Sequence, residues 1–103
     1  MSQIENHWEE VAHIETELMR KLIVLGLDWN DNSTMTLLAT ECKNFGPAEA
    51  QAAYLSNDHR RIIKAEFFAL ASIMIRTMES AAKEERDVHG GVVWKAFGKH
   101  LYE

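Results

Sequence analysis

The chain has 103 residues, a formal net charge of −5, 26% charged and 47% hydrophobic residues, and a single cysteine. These values exclude wholesale disorder and an internal disulfide, and they leave room for one hydrophobic core but not two, so residues 1–103 are expected to form a single domain. An acidic balance also argues against binding nucleic acid.

The first ten residues, MSQIENHWEE, are polar and acidic, the reverse of the basic start and apolar middle of a signal peptide. The pattern over residues 3–27 predicts a long amphipathic helix. Ile4, Val11, Leu18 and Leu25 recur every seven residues, flanked by Trp8, Ile14, Leu22 and Trp29, with Glu5, Glu9, Glu10, Glu17 and Arg20 on the other side. Up to residue 32, seven carboxylates face only Arg20 and Lys21, while the rest of the chain is balanced. Early carboxylates suit the positive end of a helix dipole and keep a surface soluble. They also suit a basic partner, which makes Glu5 and Glu9 candidate partner contacts.

Glu10 and His13 have the carboxylate-x-x-His spacing that supplies metal ligands from one helix face, with Glu17 one turn further on. A di-metal carboxylate bundle needs that motif twice. No second copy exists, since Glu66 is followed three residues later by Ala69 and Glu79 by Ala82. The three side chains also lie opposite the apolar line. Glu10, His13 and Glu17 are therefore metal ligands only in an alternative reading, and no cofactor is expected.

Gly26 and the cluster Asn30-Asp31-Asn32-Ser33 end the first helix. Ser33 or Asp31 caps a second helix of about three turns, with Met35, Leu38, Ala39 and Cys42 on its inner face. Cys42 has no histidine nearby in sequence and reads as an inert, buried thiol. An unpaired cysteine fits a reducing compartment, so a cytoplasmic location is expected.

Phe45-Gly46-Pro47 punctuates the chain, with Gly46 suited to a left-handed conformation and Pro47 to the first position of a third helix over 47–56. Ala48, Ala52 and either Leu55 or Tyr54 are expected to face inward. Ser56-Asn57-Asp58 is a capping cluster, which favours a break and a fresh helix start at about Asp58. The alternative is one continuous helix from Pro47 to Val88.

The fourth helix, about 58–88, carries the most apolar run of the chain. Between Ile62 and Ile75 only Lys64, Glu66 and Ser72 are polar, so Phe67, Phe68, Leu70, Ile73, Met74 and Ile75 point in every radial direction. Lys64 and Glu66 interrupt it below the roughly 18 residues of a membrane span. A helix apolar all round must be covered all round. The expected fold is thus all-α, a compact bundle of four to five helices around this central helix. A second copy, forming a homodimer, is the expected cover for the strip carrying Phe68 and Ile75.

Glu66 within this run is costly unless paired, with His59 or a base from another element, or set at the edge of the core with its head in water. His59, Arg60, Arg61 and Lys64 form the one basic patch, short for a nucleic-acid contact. After Gly90-Gly91, the tail over 90–103 places Val93, Trp94, Phe97 and Leu101 at helical spacing, interrupted by Gly98. It either folds back as a short fifth helix or docks on a neighbouring molecule, which makes Trp94 and Phe97 candidate partner contacts.

No nucleophile–base pair or phosphate-binding glycine pattern is present. The expectation is a non-enzymatic cytoplasmic protein that acts through protein–protein contact, with itself and with an unidentified protein partner. The alternative from another class is a small metal-binding enzyme that uses the carboxylates and histidines Glu10, His13, Glu17, His59 and Glu66.

Overall fold

The computed structural model describes residues 3–84 and 89–102, with side chains from Trp8 onward. The order is α1 (Gln3–Leu25), α2 (Asn32–Lys43), α3 (Pro47–Leu55), α4 (His59–Lys83) and α5 (Val92–Gly98), closed by a 3-10 turn at Lys99–Tyr102. No strand occurs among the described residues.

α1 buries Val11, Ile14, Leu18, Leu22 and Leu25 along one stripe. Trp8, expected on that stripe, is largely exposed, and Ile4 lies outside the described side chains. The helix ends where Gly26 takes the left-handed conformation (φ 70°). Leu27 N–H then donates to the Leu22 carbonyl (2.9 Å) and Gly26 N–H to that of Ile23 (3.0 Å), the paired bonds of a Schellman stop. Arg60, reaching across from α4, donates to the Leu25 carbonyl at 2.7 Å and satisfies another open acceptor.

α2 starts at Asp31, whose carboxylate accepts from the N–H groups of Ser33 and Thr34. Met35, Leu38 and Ala39 are buried and Cys42 half-buried, which matches the expected inner face. Gly46 is extended rather than left-handed (φ −119°, ψ −171°). It precedes α3 instead of closing α2, with Pro47 in the first turn and the Glu49 carboxylate accepting from Gly46 N–H at 2.7 Å.

The inward face expected of α3 is corrected: Ala53 alone is buried, while Ala48, Ala52, Tyr54 and Leu55 are exposed. α3 leans mainly on α4, and only its small-residue side meets that neighbour. The break between the two helices is real. Asn57 adopts a left-handed conformation (φ 57°), and Asp58 caps α4 by accepting from Arg60 and Arg61 N–H.

α1 and α4 are the main pair and run antiparallel. Glu10 meets Thr77 and Lys21 meets Glu66, so a step forward along one helix matches a step back along the other. α4 buries Ala65, Phe67, Phe68, Ala71, Met74, Thr77 and Ala81. Its outer side, with Ala69, Ser72 and Ile73, remains exposed in the single chain, so the covering expected on every side is partial. Helix geometry is described only to Lys83; residues 85–88 of the expected span lie outside the described residues.

The tail folds back. Val93, Trp94 and Phe97 are buried, and Phe97 packs edge-on against Phe67 with ring centroids 5.0 Å apart. Gly98 is the last residue of α5, where the helix gives way to the 3-10 turn as the sequence suggested, and a Cβ there would stand 2.9 Å from Trp94 Cε2. α5 packs on α1 and α2, and the 3-10 turn on α2. A continuous core joins α1, α2, α4 and α5 in a body of 41 × 28 × 23 Å.

Candidate functional site: the open side of α1 and α4

One side of the antiparallel α1–α4 pair is covered by the core, and the other is a groove open to solvent. At one end it is lined by Glu10 with Ile73, Arg76, Thr77 and Ser80. At the other end His13, Glu17 and Lys21 face Glu66 and Leu70, with Tyr54 of α3 at the edge. The positions 10, 13, 17 and 21 recur every three or four residues, so they form one face of α1.

The groove is zipped by polar contacts. Thr77 donates from its hydroxyl to the Glu10 carboxylate at 3.3 Å. Lys21 lies 3.5 Å from Glu66 and 4.0 Å from Glu17, which also pairs with Arg20 at 3.0 Å. The partner that Glu66 needs is thus Lys21 of α1 and not His59. With the Glu66 side chain 43% exposed, this pair is worth on the order of 1 kcal/mol or less. Between the polar contacts lie Leu70 and Ile73, apolar and only partly covered.

The three residues of the metal alternative, Glu10, His13 and Glu17, do share this groove. Glu10 and Glu17 are committed to Thr77, Arg20 and Lys21, and no group of three or more His, Cys, Asp or Glu among the described residues is placed to hold a metal ion. The basic patch is likewise divided. Arg60 caps α1, and Lys64 bridges to Glu41 of α2 at 3.0 Å, which leaves His59 and Arg61 exposed at the start of α4.

The tail residues sit differently from what a docking role requires. Phe97 is fully buried and Trp94 is 8% exposed, so both are taken up by the chain's own core. Phe68 is buried as well, in a tilted contact with Phe45 at 4.9 Å, and Ile75 packs half-buried at the core margin. Neither is displayed for a second copy; the exposed apolar side chain on α4 is Ile73. Glu9 is exposed on α1, and Glu5 lies outside the described side chains.

Sequence reasoning missed Glu15. Its carboxylate accepts from the N–H groups of Val93 (2.8 Å) and Trp94 (3.1 Å), capping α5 from the middle of α1. Gly90 and Gly91 make this approach possible: a Cβ on Gly91 would lie 2.6 Å from the Glu15 carboxylate, and one on Gly90 2.3 Å from the Trp94 ring. The local signal was Gly-Gly followed by an apolar helix without a capping side chain of its own. His100 was missed too; it is buried, with Nε2 2.9 Å from Asn32 Oδ1 and Nδ1 3.3 Å from Thr36 Oγ1, and it ties the closing turn to the start of α2.

Burial pushes the Cys42 thiol above its ordinary range. That keeps it protonated at neutral pH and a poor nucleophile, as its position on the inner face of α2 suggests. No helix among the described residues is long and apolar enough to cross a membrane. The chain matches no protein-family model, no curated protein and no solved structure.

Proposed function

We propose that this chain is a non-enzymatic interaction protein of the cytoplasm that works as a homodimer, with the open α1–α4 groove as its contact surface. The observation that carries the reading is the groove itself: two antiparallel helices present Leu70 and Ile73 to solvent between charges of both signs. In a two-fold contact a surface must complement itself. Glu10, Glu17 and Glu66 beside Lys21 and Arg76 meet that condition, and two helix pairs laid together make a four-helix bundle. The chemistry-bearing side chains support the non-enzymatic part, since Glu10, Glu15, Glu66 and His100 are each engaged in holding helices together.

Sedimentation equilibrium across the micromolar range tests this directly. The expected result is a species of twice the 11.8 kDa chain mass that Ile73→Glu converts to single chains without loss of helix content. A single chain at every concentration removes the dimer. Dissociation unaffected by Ile73→Glu moves the contact to another face.

A further inference from the structure

Next to the groove, but on the far side of α3, is a second concavity with a different character. It lies where the end of α2, the start of α3 and the middle of α4 converge, and has a volume of about 300 Å³. That volume is at the lower end of the range of small-molecule sites. Its space comes from small residues at positions where packed helices ordinarily interdigitate: Ala50 on α3 faces Ala65 and Ala69 on α4. α3 is held at a distance that leaves it open. Ala53 is already seated against α4, and the Pro47 start and the left-handed Asn57 fix the two ends of the helix.

The wall is aromatic, formed by Phe68 and by Phe45 tilted 59° to it. None of the described residues lining the cavity carries a charge, although 26% of the chain's residues are charged. The Cys42 thiol on its edge is held neutral by burial. At the mouth, the hydroxyls of Ser72 and Tyr54 have no hydrogen-bond partner among the described residues. Polar groups beside an apolar hollow favour a ligand able to use them, and an uncharged lining disfavours an ion drawn out of water.

We infer that this cavity is a binding site for a small, neutral, flat aromatic molecule that bears a hydroxyl or carbonyl group. The ring lies against Phe45 and Phe68, and the polar group meets Ser72 and Tyr54. The site adjoins the proposed dimer contact and shares Tyr54 and Ala69 with the α1–α4 groove, whereas Ala50 and Ser72 line the cavity alone.

2-Naphthol is a suitable probe because it is neutral at pH 7, can be excited beyond the tryptophan band, and changes its emission when removed from water. Titrated into the intact chain, it is expected to bind saturably. 2-Naphthalenesulfonate, of similar size but charged, is expected to bind at least about tenfold more weakly, a difference of about 1.4 kcal/mol. Ala50→Leu and Ser72→Leu each fill the hollow and are expected to weaken 2-naphthol at least tenfold. Ser72 is exposed, so its variant keeps the test open should Ala50→Leu disturb α3. Ser72→Ala is expected to reduce the preference for 2-naphthol over naphthalene while leaving naphthalene bound. No saturable binding, equal binding of the sulfonate, or undiminished binding in both folded filling variants each overturns the assignment.

Discussion

Glu15 turns a carboxylate in the middle of one helix into the cap of another. Replacing it with Ala leaves the N–H groups of Val93 and Trp94 without their acceptor, and a charged hydrogen-bond partner of this kind is worth about 1–3 kcal/mol. Urea unfolding of Glu15→Ala is expected to show a loss of that size, with Glu15→Gln intermediate. The adjacent glycines rank by what a Cβ meets. At Gly91 it meets the flexible end of Glu15, and at Gly90 the root of the Trp94 ring, so Gly90→Ala is expected to be the more destabilising, with the larger change in near-ultraviolet circular dichroism. Cys42 supplies a pH test. Its thiol is raised in the folded chain, so the unfolded chain loses the proton first as pH climbs past about 8.5. The native state then binds more protons than the unfolded one, and stability falls with rising pH in that alkaline window. Cys42→Ala is expected to flatten the slope, and the native thiol to react with iodoacetamide more slowly than the unfolded one.

Among the elements, the break before α4 depends on two neighbouring residues. Asn57 occupies a left-handed conformation that costs a β-branched residue about 1–2 kcal/mol, and Asp58 caps the helix that follows. Asn57→Val and Asp58→Ala are each expected to lower stability by about 1 kcal/mol or more in thermal unfolding, whereas Asn57→Gly is tolerated. This junction was legible because Ser-Asn-Asp favours a turn through local side-chain bonding. The stop at Gly26 and the start at Pro47 were legible for similar local reasons, as was the inner face of α2. The inward side of α3 was not. A run of alanines gives no periodic contrast, and which side turns in depends on the distant Ala65 and Ala69. Trp8 illustrates the converse: a large apolar residue at a plausible spacing that is nonetheless exposed near the start of α1. For the candidate site, α1 spacing placed Glu10, His13 and Glu17 together, but the facing residues Glu66, Ile73 and Thr77 needed the antiparallel register, which no local pattern encodes.

For the whole molecule, the oily α4 run suggested a helix enclosed on every side, and the folded tail covers part of it, with Phe97 packed against Phe67. Trp94 and Phe97 fill the core, and the apolar surface left over is scattered: besides Ile73 in the α1–α4 groove, Ile23, Val24, Leu37, Leu55, Val92 and Tyr102 are exposed elsewhere. The ion pairs contribute little. Lys21–Glu66 and Lys64–Glu41 are both partly solvated, so raising salt is expected to shift the unfolding midpoint by an amount corresponding to less than about 1 kcal/mol.

The bond from Glu15 to Val93 and Trp94 joins positions nearly eighty residues apart. A chain lacking α5 therefore leaves the Glu15 carboxylate without its two donors and Phe67 without the Phe97 ring that packs on it. α5 acts as a latch on α1, and a chain clipped just before Val92 is expected to present a sticky, chaperone-binding face.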